Sequence, residues 1–324
     1  STRAHNAGNQ ANIRRPAMKL AHDPRPVRAD VTPEGLVLDE ARLARRLAAL
    51  PADAPVVAMV HGWRYAPGLV GDCPHGTILA LDPPAGDRRV VSWPRHLGLD
   101  GTHGLAIGLG WHARCGLWTA HRRAREAGLA LAEIAARVAD LSPGRPLHVI
   151  GHSLGARVAL NALAHATPGH FGRVLLLAAA ESRIGAEAAL ASPAGLAAEI
   201  VNVASRENDL FDALFEWGVH LGRRTSVGQG LGRRAGNWRD LWIDHPESRA
   251  ALADLGYPLP PPPGRICHWS PYLRPGIFAL YRALLDGRLS PGALPLCRPT
   301  RRWSRLFTHG GAWDLGAGGS LPQA

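Results

Sequence analysis

A serine in the pattern G-x-S-x-G, at residues 151–155, is well placed for nucleophilic chemistry. A short apolar run, 147–150, precedes the pattern, and small apolar residues follow it. A strand, a tight turn and a helix in this order predict a nucleophile elbow, in which the Ser153 hydroxyl projects from the end of a sheet. The N–H of Leu154, at the helix start, then faces the oxyanion that forms when the hydroxyl attacks an acyl carbon. A chance pattern in a chain rich in glycine and alanine is the alternative, which the flanking strand and helix disfavour.

A second N–H donor for the same oxyanion is predicted after an earlier strand. Residues 55–60 are an apolar run of strand length, and they lead into His61-Gly62-Trp63. A strand that ends in His-Gly upstream of a nucleophile elbow typically carries the second donor of an oxyanion hole. We therefore predict that the N–H of Trp63 acts together with that of Leu154. A plain turn at the end of the strand is the alternative.

The acid that orients a catalytic histidine is expected after a later strand, at 199–204. This run leads into Ser-Arg-Glu-Asn-Asp, and the last residue, Asp209, is the predicted orienting carboxylate. Asp212 and Glu181 are the weaker candidates. The alternative role for Asp209 is to cap the helix that begins at Leu210.

Two histidines beyond Asp209 are candidates for the general base. His245 directly follows a predicted strand, 238–244, and also suits a solvated position at the start of a helix. His268 follows a proline-rich connector and precedes the last amphipathic helix. A catalytic histidine needs a loop at the carboxyl edge of the sheet, which both positions satisfy. We predict His268 as the base and keep His245 as the alternative; the side chain of His152 is expected to be structural.

Apolar runs of strand length alternate with amphipathic helices along the chain. This alternation predicts the α/β class, with a mostly parallel central sheet and helices on both faces. The longest helix has apolar residues at spacings of three and four between 124 and 141, and an earlier helix begins after Asp39 as its N-cap. Strands are predicted at 55–60, 77–81, 89–93, 147–150, 173–178, 199–204 and 238–244, and the Gly-rich residues 95–112 are predicted to form a loop.

The sequence divides into one predicted domain and two terminal extensions. Residues 1–35 are predicted to form a flexible N-terminal arm, 36–287 the α/β domain, and 288–324 a partly ordered C-terminal tail. Within the domain, residues 210–237 combine bulky apolar side chains with a Gly- and Arg-rich loop. This combination predicts a mobile lid above the site.

The composition disfavours several classes of partner. The net charge is +11, and it is almost all arginine because Lys19 is the only lysine. The arginines are scattered rather than gathered in a stripe with aromatic residues, so nucleic-acid binding is not expected. No apolar run is long enough to span a membrane, and no secretory apolar segment lies near the start. Four widely spaced cysteines are expected to be free thiols of a cytoplasmic protein.

The elbow at 151–155, the His61-Gly62 pair, Asp209 and His268 together resemble the α/β-hydrolase superfamily, and the elbow is similar to those of lipases and esterases. The order Ser, Asp, His along the chain is the order of that superfamily, and the resemblance covers about residues 52–286. It implies the α/β-hydrolase fold and a Ser153-His268-Asp209 triad. Such a triad cleaves a carboxylic ester through an acyl-enzyme and needs no metal or organic cofactor.

The implied partner is a small-molecule acyl ester. We expect an apolar, aromatic pocket with Trp63, Tyr65 and Trp269 near its mouth, although core packing is the alternative for these rings. An acyltransferase or thioesterase with the same triad is a second functional hypothesis. A non-catalytic interaction protein with a hydrolase-like fold is a third, which an intact serine with plausible partners disfavours.

Overall fold

Eight strands form the central sheet of the computed structural model, which describes residues 24–307. The strands are β1 Val27–Thr32, β2 Gly35–Leu38, β3 Val56–Val60, β4 Leu105–Gly110, β5 Leu147–His152, β6 Phe171–Leu177, β7 Glu199–Ala204 and β8 Trp238–Trp242. Their order across the sheet is β2-β1-β4-β3-β5-β6-β7-β8. The β1–β2 pair is antiparallel and every other neighbouring pair is parallel, so the predicted α/β class is confirmed.

Helices cover both faces of this sheet. They are α1 Glu40–Ala49, α2 Trp93–His96, α3 Leu117–Leu141, α4 Leu154–Leu163, α5 Arg183–Ala191, α6 Pro193–Ala197, α7 Asp209–His220, α8 Pro246–Asp254, α9 Ser270–Leu273, α10 Ile277–Leu285 and α11 Ser304–Phe307. Asp39 caps α1 as predicted, because its carboxylate accepts the N–H of Arg42 at 2.8 Å.

Alternate residues of the central strands enter two separate apolar cores. In β3, Val56, Ala58 and Val60 face the core built with α1, α3 and α4, whereas Val57 and Met59 face the core built with α10. A parallel strand that is buried on both faces has a continuous run of apolar residues, and this run is why β3 could be predicted from the sequence.

The N-terminal boundary of the domain lies earlier than predicted. Residues 27–38 form β1 and β2, and β1 pairs in parallel with β4. Val27 and Ala29 are fully buried, and they alternate with Arg28 and Asp30, the period of two that marks a strand with one apolar face. The predicted flexible arm is therefore wrong for 27–35, and residues 1–23 lie outside the described part of the chain.

The segment between β3 and α3 also differs from its prediction. Residues 77–81 and 89–93 form no strand; the second ends in the short helix α2, and its Trp93 is buried in the core. The strand of this region is β4, inside the Gly-rich stretch predicted as a loop, and all six of its residues are buried. Its glycines, Gly108 and Gly110, masked the apolar pattern of a strand that lies between β1 and β3.

The predicted lid, residues 210–237, has two parts. Helix α7 borders the cavity described below, whereas residues 226–231 are buried against the sheet. There the Val227 N–H donates to the Glu181 carbonyl at 2.8 Å, and the buried Asn202 amide donates to the Val227 carbonyl at 2.9 Å. This second part is therefore packed into the domain, and a hinged lid remains a prediction for α7 alone.

The described part of the predicted C-terminal tail, 288–307, returns to the domain. Its Trp303 N–H donates to the buried Asp209 carboxylate at 2.7 Å, and its Arg302 guanidinium pairs with Glu216 at 2.8 Å. Residues 308–324 of that prediction lie outside the described part.

The chain crosses over at the middle of the sheet. From β3 the chain moves to β4 on one side, and it then passes back to β5 on the other side. In open parallel sheets, ligands bind in the crevice at the carboxyl ends of the strands where the direction reverses. The strand ends at this point carry His61-Gly62-Trp63 and Ser153, so both predicted oxyanion donors meet at one edge.

Substitution of Gly155 tests how tightly α4 packs against the carboxyl edge of the sheet. A Cβ added at Gly155 would overlap the Val60 carbonyl oxygen, which is backbone and cannot move aside easily. We expect Gly155→Ala to lower the free energy of unfolding by about 3 kcal/mol, the upper range for overpacking. Urea unfolding measures this change. Gly264→Ala is the control, because Gly264 has no neighbour within 4 Å of an added Cβ; equal stability of the two variants would contradict the packing argument.

Candidate active site

Ser153 lies in the turn between β5 and α4 in a strained backbone conformation. Its φ is 56° and its ψ is −118°, a region that residues with a Cβ rarely adopt and that costs about 1–3 kcal/mol. The Ser153 N–H donates to the Leu177 carbonyl at 2.9 Å, and the Ser153 carbonyl accepts the Ala180 N–H at 3.1 Å. Hydrogen bonds to the end of β6 and to the residues after it therefore hold the turn so that Ser153 lines a cavity.

The loop after β3 packs directly against this turn. A Cβ on Gly62 lies only 2.9 Å from the Ser153 Cβ and from the His152 carbonyl oxygen, so only glycine allows this approach. In residues 24–307, neither the next N–H, that of Trp63, nor the N–H of Leu154, which directly follows Ser153, has a hydrogen-bond acceptor. Two unpaired amides in the two segments that meet at a serine suit an oxyanion hole.

His61 holds the shape of the Gly62-Trp63 loop. It is fully buried, and its Nε2 accepts the Trp111 N–H at 3.0 Å, so the proton resides on Nδ1 and is donated to the Gly62 carbonyl at 2.9 Å. Burial lowers the pKa of His61 to about 3, which keeps the ring neutral. His61 is thus a structural residue that fixes the loop in which Trp63 lies.

His268 enters the same cavity from the loop before α9. Its ring stacks on Phe211 at 4.6 Å between centroids, and its Nδ1 lies 2.7 Å from the side-chain oxygen of Asn208. Burial and the neighbouring His152 hold the pKa of His268 well below its usual range, so the ring is neutral at pH 7. With its proton on Nδ1, the ring has a free lone pair on Nε2, as a general base must.

The loop that carries His268 is fixed by buried polar groups. The His152 Nε2 donates to the His268 carbonyl at 3.0 Å. Burial lowers the pKa of His152 to about 4, so its imidazole is a neutral donor. Glu207 acts from the other side, because its carbonyl accepts the Cys267 N–H at 2.9 Å and its carboxylate accepts the Ser270 hydroxyl at 2.6 Å.

Asp209, predicted to orient the histidine, has other partners. Its carboxylate bonds to the Arg206 guanidinium at 2.8 Å, to the Gln229 amide at 3.0 Å and to the Trp303 N–H at 2.7 Å. The residue before Asp209, Asn208, instead accepts the hydrogen bond of His268. The prediction differs by one position because the turn at 206–208 directs Asn208 towards His268 and Asp209 towards Arg206.

The remaining candidates occupy distinct places. Glu181 pairs with Arg157, remote from His268. Asp212 contacts the histidine only through Asn208, whose side-chain N–H donates to it at 3.0 Å. His245 lies at the start of α8 beside Glu247 and Cys297, and it does not line the cavity that holds Ser153.

Ser153 and His268 share a cavity of about 390 Å³ with a largely apolar wall. Trp63, Tyr65 and Trp269 all line it, as expected. Helix α7, part of the segment predicted as a lid above the site, adds Phe211, Leu214 and Phe215 to this wall. In residues 24–307 no hydrogen bond joins the Ser153 hydroxyl to His268, and in substrate-free enzymes this bond is often long.

Two groups of side chains have metal-ligating atoms within 4.8 Å of one another: His121, Glu181 and His220; His245, Glu247 and Cys297. In the first group the histidine Nε2 atoms are buried without partners among the described residues, but the Glu181 carboxylate already binds the Arg157 guanidinium. The nearby positive charge opposes a cation. Neither group lies with His268, and we assign a metal to neither.

Comparison of the sequence with protein-family models and with curated proteins finds no match. Within residues 24–307, no helix is both long enough and apolar enough to cross a membrane.

The roles of the two adjacent residues, Asn208 and Asp209, are separable by substitution. We expect Asp209→Asn to lower the free energy of unfolding by about 3 kcal/mol, because it leaves the buried Arg206 unpaired. Its kcat on an activated ester should stay within about threefold of the wild type, whereas Asn208→Ala should lower kcat about a hundredfold.

Thermal melting and steady-state kinetics on the folded fraction measure the two effects. A folded Asp209→Asn protein with a hundredfold lower kcat would return the orienting role to Asp209.

Proposed function

We propose that this protein is a serine hydrolase of the α/β-hydrolase fold that cleaves carboxylic esters through an acyl-enzyme. The observation that carries the proposal is one cavity that combines a serine on a strained elbow, two unpaired backbone amides and a neutral histidine. The parallel sheet with its reversal at β3 and β5 supports the fold.

The reaction begins when the His268 Nε2 removes the proton of Ser153 as the serine oxygen attacks the ester carbonyl carbon. The amides of Leu154 and Trp63 donate to the negative oxygen of the tetrahedral intermediate. His268 then gives its proton to the departing alcohol, which leaves an acyl group on Ser153. A water molecule, deprotonated by the same histidine, releases the carboxylic acid and restores the serine.

Asn208 performs the orienting role with a neutral side chain. Its oxygen accepts the Nδ1–H of His268 at 2.7 Å, which selects the tautomer with a free lone pair on Nε2. Asparagine has this role in the Cys-His-Asn sites of papain-like proteases. A neutral amide stabilises the imidazolium less than a carboxylate does, so we infer a lower kcat than that of a Ser-His-Asp site.

The apolar lining of the cavity favours an aliphatic acyl group as the part of the substrate that binds there. Aromatic and leucine side chains from the loop after β3, from the segment around α9, from α7 and from the first residues of α3 and α4 line the cavity together with Ser153. Two arginines at this cavity, Arg64 and Arg89, lie over the rings of Trp63 and Trp269 at 4.9 and 4.3 Å. The volume of about 390 Å³ suits a small to medium ester.

Substitution of the nucleophile and of each histidine tests the assignment. Ser153→Ala and His268→Ala should lower kcat on p-nitrophenyl butyrate by at least about a thousandfold, because each removes a group that acts on the reacting atoms. His245→Ala is the matched control and should keep near-normal turnover.

Labelling with a fluorophosphonate should modify the wild type at Ser153 and fail with Ser153→Ala. Absence of labelling in the folded wild type would favour a non-catalytic protein. Product analysis with added alcohols or thiols would reveal an acyltransferase.

A series of p-nitrophenyl esters tests the acyl pocket. We expect kcat/KM to rise from acetyl to about hexanoyl, since each buried methylene contributes about 0.8 kcal/mol, and to be lower for a succinyl ester of similar length. Leu214→Ser should reduce kcat/KM for hexanoyl more than for acetyl. A higher rate with the charged acyl group would contradict an apolar pocket.

A further inference from the structure

The amide of Asn208 has two chemically opposite ends, and only one of them suits the base. The oxygen end accepts the Nδ1–H of His268 and leaves Nε2 free to take a proton. The nitrogen end would instead donate to Nδ1, which places the ring proton on Nε2. That tautomer cannot deprotonate Ser153, and in a serine protease the equivalent error costs about 10⁴ in kcat. Some group must therefore hold the amide in one orientation.

Asp212, one turn into α7, contacts the far end of this amide. Its Oδ1 accepts the Asn208 side-chain N–H at 3.0 Å and the Ser226 hydroxyl at 3.0 Å. Its Oδ2 accepts the Gln229 amide at 2.7 Å. Asp212 is buried, and an ionised carboxylate only accepts hydrogen bonds, so the nitrogen end of Asn208 must face it.

We propose that Asp212 is a positioning residue that locks the Asn208 amide with its oxygen towards His268. The inference rests on the proposed hydrolase function. The working unit is then a chain of four residues: Ser153, His268, Asn208 and Asp212. The negative charge that a Ser-His-Asp site places beside the imidazole is here one residue farther away, behind an amide.

The charge of Asp212 depends on the groups packed around it. Burial raises its pKa to about 7, and repulsion by Asp209 and Glu216 on α7 adds to this effect. Arg206, in the preceding turn, pairs with Asp209, and Arg302, from the C-terminal segment, pairs with Glu216. Ser226 and Gln229 favour the ionised form through their hydrogen bonds. Asp212 is therefore protonated as the pH falls below about 7, and a protonated carboxyl no longer demands the nitrogen end of Asn208.

A purely structural role for Asp212 is the competing explanation, because it also fixes the loop that contains Ser226. Exchange of the two residues separates the explanations. In Asn208→Asp/Asp212→Asn, a carboxylate faces His268, and it needs no orientation because its two oxygens are equivalent. The new amide at position 212 donates to this carboxylate. The composition and net charge of the site stay the same.

We expect Asp212→Asn alone to lower kcat about thirtyfold. Asn208→Asp alone should keep at least about a third of the wild-type kcat at pH 7, because two carboxylates about 3 Å apart do not both ionise and the protonated Asp212 then donates to the new carboxylate beside His268. The exchanged double variant should regain at least about a third of the wild-type kcat. Glu216→Gln is the matched control: it removes a buried carboxylate of α7 that does not touch Asn208, and kcat should stay within about threefold.

The pH profile gives an independent readout. Wild-type kcat/KM should fall as the pH drops below about 7, and this limb should be absent in Asp212→Asn, because His268 itself titrates well below that range. An unchanged acid limb would overturn the proposal. Equal losses from Asp212→Asn whether residue 208 is asparagine or aspartate would overturn it as well.

Nitrogen-15 NMR of the imidazole rings decides the proposal without any substrate. At pH 8 the wild-type His268, assigned by comparison with His268→Gln, should carry its proton on Nδ1. In Asp212→Asn a fraction should carry it on Nε2; an unchanged tautomer would overturn the positioning role. If the wild type neither hydrolyses esters nor reacts with a fluorophosphonate, the proposed function is refuted. The positioning role of Asp212 is judged separately, because the tautomer measurement does not depend on activity.

Discussion

The close approach of the β3 loop to the elbow is the constraint on which the site depends. Gly62 lies against the Ser153 Cβ, and Gly155 lies against the Val60 carbonyl, at distances that exclude any side chain. Contacts this short allow the strained conformation of Ser153 to persist, because the turn cannot relax without separating two packed segments. They also bring the amide of Trp63 to the serine. Packing of the backbone thus holds the proposed nucleophile and the segments of its proposed oxyanion donors as one unit.

The base is held by a different kind of interaction. His268 comes from a loop, and its placement relies on buried polar groups rather than on regular structure. His152 holds the carbonyl of His268, and Glu207 holds the residues on either side of it. His152 is the last residue of β5, and Glu207 lies in the turn that follows β7. The loop consequently takes its position from β5 and β7, the strands that carry the serine and the orienting residue.

Beside His268 lies an amide, where a Ser-His-Asp site has a carboxylate. The electrostatics of the site follow from this difference. In the proposed arrangement the negative charge lies on Asp212 above about pH 7, and the neighbouring Asp209 is neutralised by Arg206. An amide in this position depends on its orientation, whereas a carboxylate does not. The site is thereby coupled to α7, which carries Asp212 and also supplies Phe211 under the imidazole ring. In the proposed mechanism, the helix that lines the cavity therefore also fixes the tautomer of the base.

The sequence by itself determined the elements whose local pattern is strong. The strand, turn and helix around Ser153, the His61-Gly62 pair and the apolar strands β3, β5, β6 and β7 all follow from short-range periodicity and from glycine at fixed offsets. The glycines of β4 and the prolines before β1 obscured the same periodicity, so those two strands were missed. For β1 the alternation from Val27 to Thr32 was nevertheless a usable signal.

Only the tertiary structure decided which polar side chains meet. Asn208 and Asp209 are adjacent in sequence, and a carboxylate is the commoner partner of a catalytic histidine, so order along the chain favoured Asp209. A turn at 206–208 points successive side chains in different directions, and distant residues then fix each one, His268 for Asn208 and Trp303 for Asp209, which also pairs with the nearby Arg206. Those partners lie between 3 and 94 residues away along the chain. No local pattern encodes such contacts, because they depend on where the folded chain returns.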